Sequence, residues 1–291
     1  MPNNLINIQL SNRLRLAIYI AAVLLLVYGI YASLSSRPDL LTSTRIMPIL
    51  LVLFIGIPLT ILVNSFRYYF SAQLICIKIP FKRAVEVTTL STAANMLPLP
   101  GGTVVRFAAL SADAKSIGLG TTATLLSTLV WASVAIIYAG VAIAMLNHAG
   151  ALPVFVTGMS GLIAAIYLLY MLRHGRAGKA GFFYIIVTEV FSCTVEALRF
   201  MLCVMAFSQL ASFQQSAVFV LAGLAGSAVS IVPAGLGIRE AVSALLGPVV
   251  NIDPEICFMA ALLNRIIGLA GITPVAMAFA WNSHRSANAD R

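Results

Sequence analysis

PGGTVVR at residues 100–106 and PAGLGIR at residues 233–239 share one spacing: a proline, a glycine two positions on and an arginine six positions on. Each interrupts an apolar stretch, residues 84–112 in the first case and 216–250 in the second. Proline removes a backbone donor and glycine opens the chain, so each motif ends one half-helix and begins the next, leaving free N–H groups at the break. Two broken helix hairpins are predicted, each followed within about two turns by a guanidinium.

Composition identifies the solvent around them. The 291 residues are 60% hydrophobic and 9% charged, with a mean hydropathy of +0.99; a soluble domain would carry about 25% charged residues. The chain is therefore predicted to be an all-α polytopic membrane protein. No polar stretch is long enough to fold a core outside the bilayer, which makes residues 1–291 a single membrane domain with a cytoplasmic tail at 282–291. About six spanning helices are expected, at residues 14–34, 46–77, 118–146, 153–172, 182–210 and 254–281. Residues 13–34 have the basic start of a signal peptide, but the run is of bilayer length and further spans follow, so it reads as an uncleaved first helix.

The net charge of +9 gathers at segment ends. Arg13 and Arg15 precede the first span, Lys78, Lys82 and Arg83 follow the second, and Arg173, Arg176 and Lys179 follow the fourth. Residues 147–152, 211–215 and 251–254 contain neither Lys nor Arg, and only the loop with Arg37 and Arg45 is ambiguous. The positive-inside rule then puts both termini in the cytoplasm, with the protein in the inner membrane and no nucleic-acid partner implied. The cysteines Cys76, Cys193, Cys203 and Cys257 stand singly in apolar segments without a CxxC pair and are read as packing residues.

The likeness of the two motifs extends upstream. Arg67 lies 33 residues before Pro100 and Arg199 lies 34 before Pro233, in VNSFRY and VEALRF, with Asn64 standing where Glu196 stands. Each copy is a long helix with an arginine, a broken hairpin and another long helix, at residues 46–146 and 182–281. The predicted orientation enters the first hairpin from the cytoplasm and the second from outside. That is an inverted repeat, an architecture recurrent in secondary transporters.

Irregular backbone at bilayer depth is tolerated where protein or a watered cavity satisfies it, and a half-helix N-terminus attracts anions. The breaks at Pro98, Pro100, Gly101 and Gly102, and at Pro233, Gly235 and Gly237, together with Arg67, Arg106, Arg199 and Arg239, could thus hold an anionic headgroup inside the membrane. The bland alternative is kinked, packed helices with arginines reaching for the interface. Glu189, Glu196 and Arg199 fall near one helical face; Glu196 and Arg199 form a structural ion pair, or Glu189 and Glu196 serve proton coupling. Arg265 is a further cationic contact or a partner for Glu240.

At these residues the chain resembles the flippase-like transmembrane family of the lysylphosphatidylglycerol synthase membrane region and its standalone relatives. The resemblance rests on Arg67, on the N-x-x-P-x-x-G block (Asn95, Pro98, Gly101) leading to Arg106, on the P-x-G-L-G-x-R-E block (Pro233, Gly235, Leu236, Gly237, Arg239, Glu240) and on Arg265. Where the family often has a glutamate after its first glycine pair, this chain has Thr103. The resemblance implies movement of an anionic, aminoacylated or isoprenoid-phosphate lipid between leaflets, with Arg67, Asn95, Arg106, Arg199, Arg239, Glu240 and Arg265 around the substrate.

The three histidines, His148, His174 and His284, lie in loops or the tail, so zinc chemistry of the HExxH kind is absent. GRAGKA at 175–180 lacks the spacing of a phosphate loop and reads as a basic loop touching anionic lipid. No catalytic residue, cofactor or metal site is expected, and the chain is not read as an enzyme. Its implied partners are a membrane lipid as substrate and further copies of itself. A different class of function stays open: a non-transporting subunit that anchors or regulates a lipid-modifying or glycosyl-transfer enzyme. A soluble-anion transporter, which would need a closed cavity, is a third; the lipid reading predicts a groove open sideways.

Overall fold

The computed structural model describes residues 12–40, 42–94, 101–172, 179–228 and 235–289. Among them ten helices and no strand are found, as expected where backbone polar groups cannot turn to water and must bond within their own segment. The helices are α1 (Asn12–Ser36), α2 (Ile46–Leu74), α3 (Phe81–Ala94), α4 (Gly101–Asp113), α5 (Ile117–Met145), α6 (Ala151–Leu172), α7 (Lys179–Ala206), α8 (Phe213–Ala228), α9 (Ile238–Leu246) and α10 (Pro254–Ala289). Of these, α2, α5, α6 and α10 are long and apolar enough to cross a membrane, which makes this a multi-pass membrane protein. Large side chains such as Phe54, Leu125 and Leu152 are more than 60% exposed, as lipid-facing residues of such a bundle are. The tail expected at 282–291 continues as helix to Ala289.

Both hairpins exist. The first pairs α3 with α4 and the second pairs α8 with α9. With 13 residues in α4 and 9 in α9, these two arms reach only about 20 Å and 14 Å, short of a bilayer core of about 30 Å. The elbows of both, together with Asn95, Pro98, Pro100 and Pro233, lie outside the described residues. The glycines beside them show why the arms can close. A Cβ on Gly101 would lie 2.1 Å from the Ala94 carbonyl oxygen, and one on Gly235, which has φ +66°, would lie 2.4 Å from that of Gly226.

Helices α2 and α7 run antiparallel in contact along their whole length. Arg45 N–H donates to the Ala206 carbonyl at one end (2.7 Å), Arg199 meets Thr60 near the middle (3.1 Å), and Phe70 stacks on Tyr184 at the other (4.9 Å). Around this pair the hairpins are exchanged: α3 packs on α10 and α8 on α5. Small residues bring α6 close to α5, where a Cβ on Gly140 would press on the Phe155 backbone at 2.9 Å. Helix α1 covers α9 and α10. At Val52–Gly56 helix α2 widens into a π turn, and α8 opens with a capping box between Ser212 and Gln215.

The ambiguous loop at Arg37 and Arg45 joins the end of the molecule that carries residues 206–208 and 253. Ser208 Oγ donates to the Ser43 carbonyl (2.7 Å) and Arg37 donates to Asp253 (2.7 Å) and Asp39 (3.2 Å). Of the cysteines, Cys193, Cys203 and Cys257 are buried as expected, whereas Cys76 is exposed in a left-handed turn after α2, so packing does not explain it.

Candidate functional site

A polar cavity of about 440 Å³ opens between the two hairpins and the α2–α7 pair. Gly102 and Thr103 of the first hairpin and Gly226, Ser227 and Gly235 of the second line it, so described residues of both hairpins border one space. All five arginines singled out from the sequence line it as well: Arg67, Arg106, Arg199, Arg239 and Arg265. Thr103, Thr128 and Ser227 are lining residues that are also exposed, so the cavity reaches the protein surface.

Each arginine is held differently. Arg67 pairs with the fully buried Glu189 of α7, donates to Ser192 Oγ (3.2 Å) and lies over the Trp131 ring, 5.8 Å from its centroid. Arg239, in the first turn of α9, pairs with Glu196 at 2.5 Å. Room for that pair comes from α8: a Cβ on Gly223 would meet Glu196 Oε1 at 2.6 Å, and one on Gly226 would meet Arg239 Cβ at 3.1 Å. Arg265 pairs with the fully buried Glu240 at 3.0 Å. Buried carboxylates are strongly destabilising unless paired, so the Glu189 and Glu240 bridges fix α2 against α7 and α9 against α10.

Arg106 and Arg199 have no carboxylate in salt-bridge range among the described residues. Arg106 Nε donates to Ser91 Oγ across the first hairpin (3.0 Å). Arg199 donates to Asn264 Oδ1 (2.6 Å), the Asn264 carbonyl (3.3 Å) and Thr60 Oγ1 (3.1 Å). It is drawn across to them because a Cβ on Gly56 would touch its Cγ at 2.9 Å and one on Gly268 its Nη2 at 3.4 Å. The ion pair expected between Glu196 and Arg199, one turn apart on α7, is therefore not formed: Glu196 is taken by Arg239 and Arg199 by neutral groups. Among the described residues, the buried atoms without a hydrogen-bond partner include three donors on cavity-lining residues, Arg67 Nε, Arg199 Nε and Asn264 Nδ2, and two acceptors behind the wall, Glu189 Oε1 and Glu240 Oε2.

The remaining sites fall on either side of the cavity wall. Glu189 and Glu240 stand behind the wall and reach the cavity only through their arginines. Gly237, at φ +78°, packs against the Ala22 carbonyl of α1, where a Cβ would sit at 2.5 Å, and so serves the turn rather than the cavity. Asn264, Thr60, Asn64, Ser91 and Trp131 were not singled out as site residues from the sequence. Asn264 carried a signal, since it precedes Arg265 and stands a turn before Gly268. Among the described residues no three His, Cys, Asp or Glu side chains gather where a metal ion could sit.

Fold and site together define a helical, multi-pass membrane protein with an arginine-lined cavity between two helix hairpins. The model of one family, the lysylphosphatidylglycerol synthase TM region, matches residues 176–276, so this stretch is similar to that family. The matched stretch carries Glu189, Glu196, Arg199, Arg239, Glu240 and Arg265, which bears out the resemblance at the P-x-G-L-G-x-R-E block; Arg67 and Arg106 lie outside it. No curated protein matches the chain.

Proposed function

We propose that this protein is a lipid flippase, moving a lipid with an anionic, aminoacylated or isoprenoid-phosphate headgroup between leaflets without chemically changing it. One observation carries this: two arginines without carboxylate partners among the described residues, Arg106 and Arg199, face a polar cavity bounded by both hairpins within a membrane bundle. Uncompensated charge at bilayer depth is costly and is retained where it meets a ligand or a pathway. The acyl or isoprenoid tails would remain outside in lipid. Thr128, at the cavity edge on α5, lies one turn from Leu125, which is 64% exposed, and this supports a sideways opening. The family match supports a lipid as the cargo.

The antiparallel α2–α7 pair and the exchange of hairpins are the contacts an inverted repeat would make, with α1 and α7 added to the four apolar spans to give six crossings. In that arrangement the hairpins enter from opposite sides, and the end bearing Arg37 and Asp253 faces away from the cytoplasm. Arg37 there is neutralised by two aspartates, which reconciles it with the positive-inside rule. Both termini are then cytoplasmic, in the inner membrane. Glu196, the carboxylate that itself lines the cavity, is the residue best placed for proton coupling.

The test is reconstitution of the purified chain in liposomes with fluorescent phospholipids, reading the fraction accessible to an external quencher. The wild type should expose inner-leaflet lipid, and Arg106→Ala or Arg199→Ala should slow exchange at least about tenfold, equivalent to ~1.4 kcal/mol, while the protein stays folded, with its melting temperature lowered by only a few degrees. Absence of exchange across anionic, aminoacylated and isoprenoid-phosphate lipids would remove the proposal.

A further inference from the structure

The headgroup's charge can be derived from the cavity's own. Arginine does not lose its proton in proteins, and the three carboxylates near the cavity are each committed to one arginine: Glu189 to Arg67, Glu196 to Arg239 and Glu240 to Arg265. Arg106 and Arg199 remain, so the protein's side chains leave an excess of two positive charges. No acid from the neighbouring sequence can answer them, because residues 95–100 and 229–234 contain neither Asp nor Glu. On the residues that line the cavity the unmet hydrogen-bonding demand has the same sign, while the unmet acceptors, Glu189 Oε1 and Glu240 Oε2, stand behind the wall. Arg67 Nε, Arg199 Nε and Asn264 Nδ2 are buried donors without acceptors, on residues that line the cavity.

We propose that the cavity selects a phosphate monoester, a headgroup with two negative charges and several acceptor oxygens, over a monoanionic phosphodiester or a zwitterionic or aminoacylated headgroup. This rests on the cavity being the substrate site and narrows the lipids named above. A phosphate monoester carries close to two charges above its second ionisation, at about pH 6, and guanidinium forks match its oxygens. A phosphodiester would leave one arginine unanswered. A zwitterion would leave two, and an aminoacyl group would add a further cation to a site that already has an excess.

The imbalance has a local origin. Asn64 stands three residues before Arg67, where Glu196 stands three before Arg199, and Arg106 occupies the motif position of Arg239. Glu196 neutralises Arg239; Asn64 lines the cavity but cannot neutralise Arg106. Asn64→Glu should therefore supply the absent countercharge.

The experiment measures binding to the full-length purified chain at about pH 8, where the monoester is fully ionised. The probes are phosphatidic acid, phosphatidylglycerol, phosphatidylcholine and an aminoacylated phosphatidylglycerol in nanodiscs, with glycerol 3-phosphate and inorganic phosphate as soluble arms. Phosphatidic acid should bind at least about tenfold more tightly than phosphatidylglycerol, and Asn64→Glu should bring the two to near parity. Arg106→Gln, which removes the same charge by another route, should do likewise if the glutamate variant does not fold. Equal or tighter binding of phosphatidylglycerol or phosphatidylcholine by the wild type, or a preference unmoved by both variants, overturns the assignment. Lipid exchange without headgroup preference would remove this inference and leave the flippase. Glycerol 3-phosphate binding as tightly as phosphatidic acid, without lipid exchange, would support the charge assignment and remove the flippase.

Discussion

Helices α2 and α7 carry the same arginine and lie antiparallel against each other, yet only α7 carries acid. Ten and three residues before Arg199 stand Glu189 and Glu196; ten and three before Arg67 stand Ile57 and Asn64. In consequence α7 supplies the countercharge for Arg67 of α2 and for Arg239 of its own hairpin, whereas its own Arg199, and Arg106 of the first hairpin, meet only neutral groups. Shared shape and unshared charge come from different positions. The glycines and arginines set a common frame, and two side chains on one helix decide which guanidinium groups are left for a ligand.

The largest effect should come from orphaning the buried acid. Arg67→Ala leaves Glu189 unpaired and should cost about 3–5 kcal/mol, read as a lowered melting temperature in detergent, while Arg106→Ala, with no acid to orphan, should cost far less. Equal losses would break the comparison, and Arg67→Ala with Glu189→Ala should recover much of the loss. The hairpin glycines sharpen it next. Gly101→Ala and Gly235→Ala both press a methyl on a carbonyl, but only Gly235 has positive φ, so its alanine variant should be the less stable by about 1–2 kcal/mol. Ser91→Ala removes the hydroxyl that holds Arg106 and should cost about 1 kcal/mol by thermal unfolding.

The smallest effect lies at the exposed end. The hydrogen bond from Arg37 holds the Asp39 carboxyl below its ordinary value. A lowered carboxylate stabilises the fold above its unfolded pKa, about 3.9, and that contribution is lost as pH falls through the folded value. Arg37→Gln should therefore depress the melting temperature slightly near neutrality and not at all once Asp39 is protonated in both variants.

Much of this was legible before any coordinate. Membrane solvent follows from hydropathy alone, and the hairpins follow from Pro and Gly because few other residues end a helix inside lipid. The arginines were legible because charge is rare there. Pairing was not. Neighbours three apart on α7, Glu196 and Arg199, were natural partners along one helix, but Gly223 and Gly226 admit Arg239 to the first, while Gly56 and Gly268 lead the second away to Asn264. Those glycines belong to α8, α2 and α10, so the choice is made by tertiary contacts that no local spacing records. Hydropathy marks four helices as long and apolar enough to cross and passes over α7, which carries Lys179, Glu189, Glu196 and Arg199.

The π turn at Val52–Gly56 gives α2 a second register within reach. It stores one residue beyond an α-helical turn, and taking that residue up elsewhere would rotate the rest of the helix by about 100°. Arg67 would swing off Glu189 and Trp131, and Gly56 would leave Arg199. A twist about that one axis would unseat one guanidinium and uncover another, with the connection after Leu74 taking up the displaced residue.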